Sequence, residues 1–196
     1  MTTNVNVRKL TESAILIAVA VVLSVLIRIF PMPFGGDITG ASIVPLLIIS
    51  YRYGIGWGTL SATVYGILQM MLLGFFGLAG TALDFAIVIL FDYIVAFGVL
   101  GLAELFRKPF KGRDSFFAKY FGYAFSCIIV MFLRFLCHFV SGVIVWSAIA
   151  PEVAESGMNP VIYSLVYNSA YMIPETIISC VIIVLLIKCI NFNKTV

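Results

Sequence analysis

Long runs of apolar residues separated by short polar stretches dominate the chain and predict membrane helices. Runs such as SAILIAVAVVLSVLI and IISCVIIVLLI carry no charged residue, which is typical of segments that cross about 30 Å of hydrocarbon. The pattern predicts six membrane helices, at residues 10–30, 38–53, 55–74, 80–106, 119–146 and 160–190. The predicted fold class is therefore all-α, with residues 1–196 forming a single integral membrane domain.

The composition supports this prediction and excludes most other classes of protein. Hydrophobic residues make up 62% of the chain and charged residues 11%, whereas a soluble domain has about 45–50% and about 25% respectively. Water-soluble enzymes, disulfide-rich secreted modules, disordered chains and nucleic-acid binders do not fit these values. The four cysteines lie in apolar helical runs without metal-binding spacing, so we interpret them as small buried hydrophobic residues.

The positions of the basic residues predict the orientation of the helices in the membrane. Ten of the twelve Lys and Arg residues fall at one set of helix ends, most densely in the segment RKPFKGRDSFFAK between the fourth and fifth helices. The opposite ends carry Arg28, Asp37, Glu152 and Glu155. We therefore expect both termini to be cytoplasmic, and the loops near residues 31–37, 74–80 and 147–160 to face outside.

Ionisable residues inside predicted membrane helices are candidate functional residues, because burying them in lipid costs a few kcal/mol or more. At membrane depth, away from the helix ends, we count five: Asp84, Asp92, Arg134, His138 and Glu175. At about 1.5 Å of rise per residue, His138 lies about 12 Å below the outer surface, and Asp92 about 18 Å.

Aromatic and amide side chains accompany these residues in the outer half of the membrane. Asn168 is predicted at the same depth as His138, and Trp146 and Tyr163 lie near the mouth. Polar anchors and aromatic walls from three helices predict a ligand pocket that opens to the extracellular side.

Each of these residues also has a purely structural interpretation. Asp92 can pair with Arg134, His138 can donate to a carbonyl, and Asn168 can join two helices. Trp146 and Tyr163 fit an interfacial aromatic belt equally well. For Arg134 and Glu175 we favour a buried ion pair over direct ligand contact, and for Asp84 a solvated or capping position.

The first helix carries a different feature, a pair of small residues. Ala14 and Ala18 have the small-xxx-small spacing that lets two membrane helices approach closely. This spacing fits packing within the bundle, or docking of a second membrane protein. The chain has no GxxxxGK[ST] motif, so transport against a gradient would need an ion gradient or a separate ATPase.

Helices four to six resemble a known family. The stretch HFVSGVIVW at 138–146, Ala150-Pro151 and NPVIYSLVYN at 159–168 are similar to the thiamine-specific S components of energy-coupling factor transporters. Asp92-Tyr93, followed by Ala96-Phe97-Gly98, is similar to the fourth helix of that family. Together with the length, the six helices and Ala14/Ala18, the resemblance extends over nearly the whole chain.

The resemblance implies an S-component bundle that captures thiamine outside the cell and needs no cofactor. It implies a partner in the bilayer, a transmembrane coupling protein, on which the chain would dock through Ala14 and Ala18. Two cytoplasmic ABC ATPases would serve that coupling protein. A lid residue is expected in the first outer loop, where Phe34 is available. The substrate-binding residues that the resemblance implies are Asp92, Tyr93, His138, Trp146, Tyr163 and Asn168.

The chemistry of the residues agrees with a thiamine ligand. The carboxylate of Asp92 would complement the thiazolium cation, because their attraction grows as the dielectric falls. Trp146, Tyr93 and Tyr163 would supply aromatic faces for the cation and the rings. His138 and Asn168 would hydrogen-bond the polar edges of the ligand.

Three other functions stay open on the sequence. The chain fits an S component for a different vitamin, and Arg134, His138 and Glu175 would suit the proton relay of an ion-coupled carrier. An intramembrane enzyme fits less well, because the sequence has a single His and lacks HExxH or paired-Asp protease spacing.

Overall fold

The fold is a bundle of six helices, which confirms the all-α membrane class. The computed structural model describes residues 2–27, 36–73, 80–112, 116–150, 153 and 155–189. Within these ranges α1 is Thr2–Leu26, α2 is Val44–Tyr53, α3 is Ile55–Leu73, α4 is Ala82–Phe110, α5 runs from Phe116 to Ile149, and α6 is Pro160–Cys189. In the described residues, α1, α4, α5 and α6 are long and apolar enough to cross a membrane.

The second helix is shorter than predicted, because its first turns are replaced by a bent segment. It begins at Val44 rather than at residue 38. Gly40 and Ala41 have φ angles of 58° and 68°, a left-handed conformation that cannot continue a right-handed helix. Pro45 then occupies the first turn of α2, where its missing N–H costs nothing. We call residues 36–43 the 36–43 segment.

Helices α3 and α4 pack with their backbones almost in contact. A Cβ atom added to Gly101 would overlap the backbone of Thr59, so only glycine fits at this crossing. Beside it, the hydroxyl of Ser50 on α2 donates to the carbonyl of Gly101 at 2.6 Å and accepts from the N–H of Glu104 at 3.1 Å. These hydrogen bonds tie α2 to α4 near the predicted cytoplasmic side, beside the close contact of α3 with α4.

Helix α1 is held to the bundle by polar contacts near its amino-terminal end. Glu12 forms a 2.6 Å salt bridge with Arg52, and the indole N–H of Trp57 donates to Ser13 at 2.8 Å. Ser13 is buried, whereas Ala14 and Ala18 are exposed. The two alanines therefore lie on the part of α1 that faces away from the rest of the chain.

Candidate ligand-binding site

A cavity of about 130 Å³ lies among α4, α5, α6 and the 36–43 segment, with smaller contributions from α1 and α3. Polar and aromatic side chains from all these elements line it. The cavity brings together the six binding residues implied by the sequence, namely Asp92, Tyr93, His138, Trp146, Tyr163 and Asn168.

The carboxylate of Asp92 makes three hydrogen-bond contacts, all with side chains of α5. Its Oδ1 lies 2.9 Å from Nδ1 of His138, and its Oδ2 accepts from Ser141 Oγ at 2.7 Å and from Trp146 Nε1 at 3.0 Å. Asp92 itself is 8% exposed. The three partners, all on α5, fix the orientation of this carboxylate at the cavity wall.

The second ring nitrogen of His138 is open to a ligand. Nε2 is buried and has no hydrogen-bond partner among the described residues. The partner of Nδ1 is a carboxylate, which assigns the ring proton to Nδ1 in the neutral imidazole. Nε2 is then an acceptor, and a ligand that brings an N–H or O–H donor into the cavity would satisfy it.

Two π-helical turns produce this geometry. Ile89–Val95 of α4 contains Asp92 and Tyr93, and Gly142–Trp146 of α5 ends on the tryptophan. Ser141 and Trp146 are five positions apart and would point in different directions from an α-helix. The i→i+5 repeat of a π-turn places them on one face, where both reach the same oxygen of Asp92.

Tyrosines of α6 form an aromatic wall. The rings of Tyr163 and Tyr167 stack with centroids 6.1 Å apart, and Tyr167 meets Tyr171 edge-on at 5.8 Å. All three line the cavity. Faces of electron-rich rings attract cations and stack on planar ligands.

Asn168 is already fully engaged with its neighbours on α6. Its side-chain N–H donates to the carbonyl and the hydroxyl of Ser164 at 2.9 and 3.2 Å, and its oxygen accepts from Tyr171 at 2.9 Å. Asn168 therefore aligns the tyrosine wall in this structure, in addition to lining the cavity.

The described residues do not show the expected ion pair between Arg134 and Glu175 as a direct salt bridge, although both line the cavity. Glu175 accepts instead from the N–H and hydroxyl of Thr39 and from the N–H of Ala41, at 2.8–3.1 Å. These backbone donors satisfy the carboxylate, and the guanidinium of Arg134 lies 4.4 Å from the ring centroid of Phe97.

The charged lining of the cavity is predominantly acidic. Of the residues that line it, Asp37, Asp92 and Glu175 carry carboxylates and Arg134 carries the one permanent cation within the described part of the chain. In a low-dielectric cavity such an excess of carboxylates favours a cationic ligand.

The remaining predicted residues lie elsewhere. Phe34 falls outside the described residues. Ala14 and Ala18 are on the exposed side of α1, away from the cavity. Asp84 caps a helix, which is one of the two positions expected for it. It forms a reciprocal capping box with Thr81 at the start of α4.

Reasoning from the sequence missed the part of the cavity that the first half of the chain builds, and one tyrosine of α6. Lining residues that it did not select include Thr39, Ser42, Tyr65, Gln69 and Tyr167. Tyr167 stands four positions from both Tyr163 and Tyr171, and this helical spacing is a signal that was available. The polar residues of the 36–43 segment offered no such periodicity.

Comparison with known proteins gives the family. The family model described as "Thiamine transporter protein (Thia_YuaJ)" matches residues 10–194. The chain belongs to this family. It is a multi-pass cell-membrane protein, as the family and its apolar helices indicate.

Relatives in the same family cover most of the chain. It is 30% identical over 184 residues to the thiamine transporter ThiT of Bacillus subtilis, covering 91% of this chain and 89% of that one. To the thiamine transporter ThiT of Lacticaseibacillus paracasei it is 32% identical over 146 residues, covering 72% and 68%. The fold matches a solved structure of ThiT from Listeria monocytogenes with a TM-score of 0.74 at 23% identity, over 94% of this chain and 95% of that one.

Proposed function

We propose that this protein is a thiamine-binding membrane subunit that captures its ligand from the extracellular side, and that it is a transporter component rather than an enzyme. The observation that carries the proposal is the buried carboxylate of Asp92, held by three donors of α5 beside tyrosines of α6. Family membership supports thiamine as the ligand.

The chemistry of thiamine suits each part of this cavity. Its permanently charged thiazolium would lie near Asp92, where attraction is strong because little water screens it. Its aminopyrimidine carries an exocyclic amine, whose N–H would donate a hydrogen bond to Nε2 of His138. Stacking and cation–π contacts with Trp146 and the α6 tyrosines would hold the rings, at about 0.5–2 kcal/mol for each cation–π contact.

Binding of labelled thiamine to the detergent-purified protein tests this proposal. We expect saturable binding that unlabelled thiamine displaces, and displacement by an uncharged ring analogue only at a much higher concentration. An absence of saturable thiamine binding to folded protein would refute the proposal and favour a different vitamin.

We further propose that transport is driven by partners. In this scheme a transmembrane coupling protein and two cytoplasmic ABC ATPases act on the bound subunit, and α1 docks on the coupling protein through Ala14 and Ala18. The exposure of both alanines beside apolar residues such as Val7, Ile15 and Val22 supports such a face, since small residues allow close approach of helices in lipid.

The source of energy separates this scheme from an ion-coupled carrier. Uptake into cells that express the protein with and without an ATPase module should depend on the module and resist uncouplers. Uptake that needs no ATPase and is abolished by an uncoupler would contradict it and would favour the carrier.

A further inference from the structure

The buried carboxylate of Glu175 joins two distant parts of the chain. It is 2% exposed and lies in the middle of α6. Its Oε2 accepts from the N–H of Thr39 at 2.8 Å, and its Oε1 accepts from the hydroxyl of Thr39 and the N–H of Ala41, each at 3.1 Å. We call this contact of Glu175 with Thr39 and Ala41 the Glu175 latch.

The backbone on the other side of the latch is shaped for an anion. Gly40 and Ala41 are consecutive residues with positive φ, and this turn directs the N–H groups of Thr39 and Ala41 toward the same carboxylate. Among the residues that the structure describes, Ala41 is the one non-glycine residue with a positive φ. This conformation is unfavourable for alanine. The hydrogen bonds to Glu175 compensate for this strain.

The latch is continuous with the lining of the cavity. The hydroxyl of Thr39 lies 2.7 Å from that of Ser42, which accepts from Tyr65 at 3.3 Å. At the start of the 36–43 segment, the N–H of Gly36 donates to the hydroxyl of Tyr167 on α6 at 3.2 Å. The segment therefore meets α6 at two points, and its residues Asp37, Thr39 and Ser42 line the cavity.

We propose that Glu175 is a positioning residue that fixes the 36–43 segment against α6, so that this wall of the cavity is formed before the ligand arrives. The inference rests on the proposed function, since the ligand concerned is thiamine. Glu175 acts through the segment and need not touch thiamine. A wall that is preformed avoids the entropy cost of ordering eight residues on binding.

The substitution Glu175→Gln tests the latch with little change in volume. Both carboxylate oxygens accept hydrogen bonds here, whereas an amide has one acceptor oxygen and an NH₂ group that would face a backbone donor. If the segment were then docked about one tenth of the time, the apparent Kd for thiamine would rise about tenfold. Ser179→Ala is the matched control, because Ser179 is fully buried one turn further along α6 and has no hydrogen-bond partner among the described residues.

Exposure of the segment is measured without any ligand. Ile38 is 7% exposed and lies outside the latch, so an Ile38→Cys thiol should react slowly with a membrane-impermeant maleimide. The measurement uses a variant whose four native cysteines are replaced by alanine. We expect Glu175→Gln to raise the labelling rate at least severalfold, and Ser179→Ala to leave it unchanged.

A second, milder variant covers the case in which Glu175→Gln fails to fold. Thr39→Val removes the hydroxyl contact of the latch and keeps the N–H of residue 39, so it should raise labelling and Kd in the same direction by a smaller factor. Where the Glu175→Gln protein folds, adding Thr39→Val should change little more, because both act on one contact.

The outcomes separate the latch from the proposed function. A wild-type protein that binds no thiamine would refute the function but leave the labelling test valid. Unchanged labelling in both variants would overturn the latch. Weakened binding by Glu175→Gln with unchanged labelling would also overturn it, because Glu175 would then act on the ligand itself, by contact or through its charge.

Discussion

The two buried carboxylates of the cavity, Asp92 and Glu175, differ in their hydrogen-bond partners: those of Asp92 are side chains, and those of Glu175 are mainly backbone N–H groups. Asp92 is held by three side chains of one helix. Glu175 is held by two backbone N–H groups and a hydroxyl of a segment more than a hundred residues away in the chain. Both carboxylates have hydrogen-bond partners, as buried polar groups must, but the consequences of losing each one differ.

The difference separates ligand binding from positioning. The partners of Asp92 include His138, whose second nitrogen is without a partner in the described structure, and Trp146, whose ring lines the cavity. A change at Asp92 therefore acts on groups available to a ligand. The main-chain partners of Glu175 belong to the wall itself, so a change there acts on the shape of the cavity.

The largest expected effect on affinity comes from Asp92→Asn. The substitution removes the negative charge opposite the thiazolium, and loss of one partner from a buried charge pair costs about 2–5 kcal/mol. Titration of the purified variant with thiamine, followed by tryptophan fluorescence or calorimetry, measures this. An unchanged Kd in a folded Asp92→Asn protein would make Asp92 a structural residue.

A smaller loss is expected for Trp146→Phe. It removes the indole N–H bonded to Asp92 and weakens the aromatic face, together worth about 1–3 kcal/mol. Because the chain has only two tryptophans and Trp57 is bonded to Ser13 on α1, quenching by thiamine should vanish in this variant. Quenching that survives Trp146→Phe would assign the signal to Trp57 and reject the cavity as its source.

Ser141→Ala should weaken thiamine binding less than Trp146→Phe does. It deletes one hydrogen bond to the Asp92 carboxylate and leaves two, so we expect a loss of about 1.5 kcal/mol, or roughly tenfold in Kd. Ser147→Ala is the matched control on α5, since that hydroxyl donates to the carbonyl of Val143. Equal affinities of the two alanine variants would show that the π-turn hydrogen bond has no role in binding.

The double variant Ala14→Trp with Ala18→Trp should leave thiamine affinity unchanged and yet abolish uptake. Both positions are exposed on α1, so bulky side chains there would separate α1 from a partner helix without entering the cavity. Parallel measurements of binding, uptake and co-purification of the ATPase module check this. Normal uptake would show that the alanines are not a docking face, and loss of binding would place them within the fold.

The sequence predicted the parts of the molecule that depend on composition and helical period. The six predicted apolar runs correspond to six helices, and Asp92 on α4 lines one cavity with His138 and Trp146 on α5. Shared depth in the membrane was enough to group them. It was not enough to show that two π-turns direct Asp92 and Trp146 toward each other, because one extra residue in a turn leaves no mark on hydropathy.

The sequence failed where backbone groups, rather than side chains, are the partners. An arginine and a glutamate at similar depth indicated an ion pair, but Glu175 binds the N–H groups of Thr39 and Ala41. Every residue carries such donors, so no residue type signals them. The same left-handed turn at Gly40 and Ala41 delays the start of α2, which the apolar pattern alone placed at residue 38.

The most direct test of the thiamine site compares two ligands on two proteins. Thiamine and an uncharged analogue, with a thiophene in place of the thiazolium, are titrated into the wild-type protein and into Asp92→Asn. We expect the substitution to weaken thiamine binding by about 2 kcal/mol or more and to change binding of the uncharged analogue far less, because only the cation interacts with the lost charge. Equal losses for the two ligands would contradict the account, since Asp92 would then shape the cavity instead of holding the cation.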